Sequence, residues 1–134
     1  ALRAEYTLPD VSQTVIITRM AGRTPVPEKE SIAALAAHNA TMVIFLSTGL
    51  LKELSAELIR GGYKPDTPAA IVYKASWADQ KVCRCTVDDL AQTASDNGIT
   101  KTALICVGYF LGNDYSLSKL YDKSFETEFR KAEI

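Results

Sequence analysis

Two kinds of hydrophobic pattern alternate along this chain. Short runs of consecutive apolar or β-branched residues predict strands buried on both faces, and stretches with apolar positions three or four apart predict amphipathic helices. Ser12 to Thr18 reads as the first strand, on the continuous Val15-Ile16-Ile17. Pro27-Glu28 then opens a helix through Ile32, Leu35 and Ala36 to about His38, since a proline in the first turn sacrifices an amide with no intrahelical partner. Thr41 to Ser47 is the second strand. Leu50 to Ile59 gathers Leu50, Leu51, Leu54, Leu58 and Ile59 near one side of a helix, and Gly61-Gly62 ends it. Ala69 to Lys74 and Lys81 to Thr86 are strands three and four. Thr86-Val87-Asp88-Asp89 caps a helix to about Asn97 that Gly98 stops. Thr102 to Val107 is the fifth strand. Residues 1–8 read as a helix end or a linker. Past residue 109 the pattern weakens: a turn at Asn113-Asp114, a short helix over Ser116 to Tyr121, and Phe125, Phe129 and Arg130 at helical spacing in a polar end that frays.

Strands alternating with helices predict an α/β layered fold. The link through Ala78-Asp79-Gln80 is too brief for a crossover, so strands three and four pair antiparallel. The expected architecture is therefore a mixed five-stranded sheet flanked by helices, in one domain of 134 residues.

Composition narrows the functional classes. A net charge of −1 does not suit a general nucleic-acid binder. No apolar run reaches membrane-spanning length, and no signal peptide opens the chain. Cys83, Cys85 and Cys106 make an odd count, which suits reduced cytoplasmic thiols better than a paired framework. Cys83 and Cys85, two apart in a strand, face the same side. With His38 the one histidine, no metal site is expected.

Candidate chemistry concentrates at strand ends, where ligands sit in open α/β sheets. Thr18 to Glu28 holds Arg19, Gly22, Arg23, Pro25 and Pro27 in one stiff loop after the first strand. A plain connection with solvated arginines, or pairing with Glu28 or Glu30, explains the same residues. Three other strand ends, Phe45-Leu46-Ser47, Lys74-Ala75-Ser76 and Thr102-Ala103-Leu104, combine small or apolar side chains with free backbone groups. Ordinary strand termini look alike. His38 reads as a residue near a helix C-terminus and Asp88-Asp89 as helix-start residues. Trp77 either covers a planar ligand or packs the hairpin, and Tyr109, Tyr115 and Tyr121 pack against the sheet or a partner subunit.

The segment Thr18-Arg-Met-Ala-Gly-Arg-Thr-Pro-Val-Pro-Glu28 resembles Thr-Arg-x-x-Gly-Arg-Thr-Pro-x-Pro-Glu of the cobalt-precorrin-4 and precorrin-4 C11-methyltransferases, tetrapyrrole methylases of cobalamin (vitamin B12) biosynthesis. The resemblance continues through Ala40–Ser47, Pro68–Trp77, Thr102–Gly108 and a tail with Leu120-Tyr121-Asp122, Phe125 and Phe129-Arg130, so it covers nearly the whole chain. It implies two α/β domains with S-adenosylmethionine in the cleft between them. The glycine-rich loop of the first domain has no counterpart here, so the chain is expected to be the C-terminal domain and inactive alone. The resemblance also implies cofactor contacts from Leu46, Ala75, Ser76, Thr102, Ala103 and Leu104. Leu46 stands where some relatives carry methionine and Thr102 where some carry proline. Arg19, Arg23, Pro25 and Lys74 are implied at a corrinoid substrate, the arginines as forks for its carboxylates and the prolines as stiffeners. One methyl would pass to a ring carbon without a protein nucleophile, leaving S-adenosylhomocysteine. A homodimer is implied too. A non-catalytic nucleotide-binding or dimerisation domain, or a methylase of another tetrapyrrole, fits the same pattern less well.

Overall fold

The computed structural model describes residues 1–112. The expectations placed on Asn113-Asp114, Tyr115, Ser116–Tyr121, Phe125, Phe129 and Arg130 lie outside the described residues.

The expected mixed sheet of five strands is present. The strands are β1 (Val15–Arg19), β2 (Thr41–Leu46), β3 (Pro68–Tyr73), β4 (Lys81–Thr86) and β5 (Ala103–Val107). Their spatial order is β1-β2-β5-β3-β4. β1 and β2 run parallel, whereas β5 is antiparallel to both β2 and β3. β3 and β4 form the expected antiparallel hairpin.

Side chains alternate across these strands, and each face builds its own cluster. Met42, Ile44, Ile71, Ile105 and Val107 pack with helical residues of α1 (Ile32–Ala36), α2 (Leu51–Gly61) and α3 (Leu90–Asp96). Leu51, Leu54, Leu58 and Leu90 are all at most 1% exposed there, so this layer is the main core. On the opposite face Ala70, Val72 and Cys106 meet Leu8, Phe110 and Leu111. Leu8 belongs to a docked irregular segment, not a helix. It forms a bridge with Ser12, and the nearby Tyr6 carbonyl accepts the Thr41 hydroxyl at 2.7 Å.

The predicted helix from Pro27 to His38 is broken. A 3-10 turn spans Glu28–Glu30, Ser31 is extended at φ −61° and ψ 152°, and α1 begins after it. Ser31 Oγ accepts the Ala34 amide at 3.2 Å, so the serine serves as N-cap of a second, separate helix. The expected cap at Thr86 is also corrected. Neither Thr86 nor Asp89 caps an amide with its side chain; Thr86 Oγ1 instead donates to Asp88 at 2.5 Å and to Asp89 at 3.2 Å.

Gly61 and Gly62 divide their work. Gly62, at φ +133°, ends α2. Gly61 is still helical and lies against α1, where an added Cβ would fall 2.4 Å from the Ala33 carbonyl and 2.6 Å from Ala36 Cβ. The two helices meet at backbone distance because all three residues are small.

Candidate functional site

The strand directions bring five chain ends to one edge of the sheet. β1, β2 and β3 finish there, and β4 and β5 start there. In register, Arg19 lies beside Phe45, Leu46 beside Ala103, and Leu104 beside Val72. Lys74, Ala75 and Ser76 follow directly from β3. With strands about 4.8 Å apart, Leu46 and the end of β3 are separated by two spacings, roughly 10 Å. The residues expected at cofactor and substrate therefore share one rim.

They do not all share one hollow. A cavity of about 740 Å³ opens between the β1 loop and the end of β2, lined among others by Arg19, Arg23, Phe45, Leu46, Leu50 and Thr102. Ala75, Ser76, Ala103, Leu104, Lys74 and Pro25 lie outside its lining. Leu46 and Ala103 are 4% and 5% exposed, so their side chains are part of the core and any ligand meets their backbone edge. Leu104 is half-buried on the other face, and Thr102 is exposed. Phe45, 55% exposed, gives the cavity an apolar rim.

Each cation of the rim has a distinct setting. Arg19 Nη1 donates to the Thr24 carbonyl at 3.2 Å and Nη2 to the Pro25 carbonyl at 3.1 Å. Pro25 thus enters the site as an acceptor for the loop's own arginine. Arg23 has no hydrogen bond or ion pair among the described residues; neither Glu28 nor Glu30 meets it. Lys74 Nζ lies 2.6 Å from Asp79 Oδ2, and 5.5 and 5.7 Å from the centres of the Tyr73 and Trp77 rings. The hydrogen bond to Asp79 raises the Lys74 pKa, and the same bond lowers that of Asp79. The ammonium is thereby committed to its own hairpin turn.

That turn is unusual in its backbone. Lys74 and Ser76 both have positive φ, 50° and 69°, on either side of Ala75. Left-handed conformations cost a non-glycine residue on the order of 1–3 kcal/mol each and persist where the surroundings hold them. Here the Gln80 side chain accepts the Ser76 amide at 2.7 Å, and Trp77 donates to the Lys74 carbonyl at 3.0 Å. Trp77 is 68% exposed and is not packed into the hairpin. Asp79 and Gln80 carry no motif or spacing signal, and only the folded turn reveals what they hold.

The Tyr63 hydroxyl is buried and donates to the Ala40 carbonyl, and burial pushes its pKa up to about 12. Burial likewise raises Cys85 and Cys106 to about 11. Cys83 and Cys85 do face the same side, packed against the helical core. His38 lies two residues past α1, its amide donating to the Leu35 carbonyl at 3.2 Å. Among the described residues no group of three or more His, Cys, Asp or Glu is placed to hold a metal, and no helix is long and apolar enough to cross a membrane.

Residues 1–91 match the family model for tetrapyrrole (corrin/porphyrin) methylases. The cobalt-precorrin-4 C(11)-methyltransferase of Methanocaldococcus jannaschii is 54% identical over 98% of this chain and 51% of its own length. That of Priestia megaterium is 49% identical over 98% of this chain and 52% of its own. The chain spans about half the length of the curated relatives it matches. Among solved structures, the cobalt precorrin-4 methyltransferase CbiF superposes with a TM-score of 0.80 at 48% identity, over 84% of this chain and 47% of that one. The uroporphyrin-III C-methyltransferase of Thermus thermophilus, complexed with S-adenyl homocysteine, shares the fold at TM-score 0.60 and 17% identity, over 81% of this chain and 46% of that one. A family match over residues 1–91, relatives near half identity across almost the whole chain, and the same mixed sheet together place this chain in the tetrapyrrole methylase family.

Proposed function

We propose that this chain works in an S-adenosylmethionine-dependent methyltransferase that methylates C11 of (cobalt-)precorrin-4 in cobalamin biosynthesis. It contributes one wall of the cleft. The observation that carries the reading is the loop Thr18–Glu28 beside the 740 Å³ cavity at the rim where Leu46, Thr102 and Ala103 meet. The relatives at 54% and 49% identity bear the corresponding name. For the cofactor, the support is the Thermus relative's S-adenyl homocysteine complex and the fit of the rim. A cavity of this volume falls within the range of small-molecule sites, about 300–1,000 Å³.

When bound, the cofactor supplies a methyl on a cationic sulfur, whose bond electrons return to sulfur as carbon bonds to carbon. This chain's residues bind and orient. Leu46, Thr102, Ala103 and Leu104 offer backbone groups at the sheet edge, and Ala75 and Ser76 extend that edge with small side chains. On the corrinoid side Arg23 offers its charge to the ligand, while Arg19, Pro25 and Lys74 shape that side through the bonds of their own loop and turn. Phe45 and Leu50 keep the cavity wall apolar and limit water beside the reacting carbon. Alignment of the methyl with the ring carbon would supply much of the acceleration, and the positive charge that leaves sulfur would be discharged when the methylated ring gives a proton to water.

Reduced thiols in the cytoplasm belong to the same reading, carried by the odd cysteine count, as does a homodimer, carried by the resemblance; sedimentation of the native protein checks the dimer. The decisive experiment incubates the native polypeptide that contains this chain with S-adenosylmethionine and either precorrin-4 or its cobalt form. A product one methyl heavier at C11 supports the proposal, and absence of transfer to both overturns it. In calorimetry, S-adenosylhomocysteine binding should weaken at least ~10-fold when Ala75 is replaced by Trp, the cost of about 1.4 kcal/mol of lost fit. Unchanged affinity removes Ala75 from the site. Retained nucleotide binding with no transfer would favour a non-catalytic nucleotide-binding domain.

A further inference from the structure

The end of β1 and the loop after it carry two arginines, and the fold uses them differently. Arg19 is the last residue of β1, fixed in register beside Phe45. Its guanidinium reaches five and six residues forward to the carbonyls of Thr24 and Pro25, at 3.2 and 3.1 Å. The Thr24 carbonyl also accepts the Gly22 amide at 3.3 Å. Pro25 and Pro27 carry no N–H, so the second half of the loop has two fewer backbone donors with which to brace itself. The guanidinium fork substitutes for them. Arg23 rides on the stretch that this fork closes. It borders the same cavity as Leu46 and Thr102, with no hydrogen bond or ion pair among the described residues.

We infer that Arg19 is a positioning residue that splints the loop, and that Arg23 is the cation that meets a carboxylate of the ligand. The inference rests on the proposed function in taking that ligand to be a carboxylate-bearing tetrapyrrole. The two roles demand different chemistry. Holding the two carbonyls from Nη1 and Nη2 separately uses the planar, rigid guanidinium fork, whose spread of donors lysine's single rotatable ammonium does not reproduce. Meeting a carboxylate requires positive charge first and fork geometry second, so lysine serves in part.

Two measurements on the native full-length protein separate the roles. Amide hydrogen exchange over residues 20–24 should quicken by about tenfold in both Arg19→Ala and Arg19→Lys, the loss expected for one or two net hydrogen bonds, and stay unchanged in Arg23→Ala. Steady-state methyl transfer is then followed as a function of salt. Arg23→Ala should raise KM for the tetrapyrrole by ~10–100-fold, the value of a charge-assisted hydrogen bond, and flatten its dependence on salt, with Arg23→Lys recovering part of both. Arg19→Ala and Arg19→Lys should lower kcat/KM equally while leaving the salt dependence intact, because the recognising charge is still present. Unchanged exchange in Arg19→Ala, or a flattened salt dependence there that Arg19→Lys restores, overturns the splint. If the wild-type protein transfers no methyl to a tetrapyrrole, the functional reading falls and takes the Arg23 role with it, while the exchange data still decide Arg19.

Discussion

Gly61 illustrates how much a single absent carbon decides. Alanine is intrinsically better than glycine inside a helix by about 1 kcal/mol. Against that stands a Cβ 2.4 Å from the Ala33 carbonyl and 2.6 Å from Ala36 Cβ. The first of these is backbone and cannot swing aside. Overpacking of this kind typically costs about 1–3 kcal/mol, so the clash outweighs the propensity gain. Gly61→Ala is expected to lower the unfolding free energy by about 1 kcal/mol or more in denaturant titration. Gly49→Ala, with nothing within 4 Å of its added carbon, should stay within about 0.5 kcal/mol of wild type. Equal effects of the two substitutions would refute the close-approach account. The same selectivity governs the cations. Lys74 and Arg19 spend their donors on their own turn and loop, so charge counted along the sequence overstates what faces a ligand.

Among the elements, the segment between Pro27 and His38 is the instructive one. Its apolar spacing fits one helix, and proline at the start is compatible with that. Ser31 breaks it, because its extended backbone lets Oγ accept the Ala34 amide and begin α1 afresh. The break lets the short helix Ile32–Ala36 lie across α2 at the Gly61 contact. Ser31→Ala should destabilise the protein by about 1 kcal/mol, the usual value of an N-cap, as a shift in thermal midpoint. No shift would mean that the cap bond contributes nothing and packing alone starts the helix. Strands were easier to read than helices in this chain. Lys81–Thr86 coincides with its expected bounds, and the others differ by one to three residues at an end, since an unbroken apolar run leaves few alternatives. The helix boundaries depended on caps and turns that several nearby residues could have formed.

At the scale of the molecule, buried and half-buried proton-bearing groups among the described residues set an alkaline limit. Tyr63, Cys85 and Cys106 have folded-state pKa values raised by burial to about 12, 11 and 11, from 10.0 for the tyrosine and 9.0 for the thiols. A raised folded pKa gives stability that is complete below the unfolded value and disappears as pH climbs through the folded one. The loss should therefore begin above pH 9 with the cysteines and finish near pH 12 with Tyr63. Urea midpoints measured across that window should fall, and Cys106→Ala should shrink the part of the fall between pH 9 and 11 while Cys85 keeps its onset. A midpoint flat to pH 11 would contradict the assigned burial of these groups.

The amino-acid order alone carried the strands, their number, the β3–β4 hairpin and the loop that resembles the C11-methyltransferases, because apolar runs, a short link and fixed φ angles are properties of neighbours in the chain. The insertion of β5 between β2 and β3 came from packing between distant segments, since each strand would satisfy its backbone equally well beside several others. That insertion is what aligns Leu46 with Ala103 and gathers the strand ends on one rim. Which arginine braces, and which has no partner among the described residues, was settled only when residues five and six positions apart met across a folded loop. Hydrogen-bond partners depend on where a turn closes, and nothing in the local pattern of residues fixes that closure.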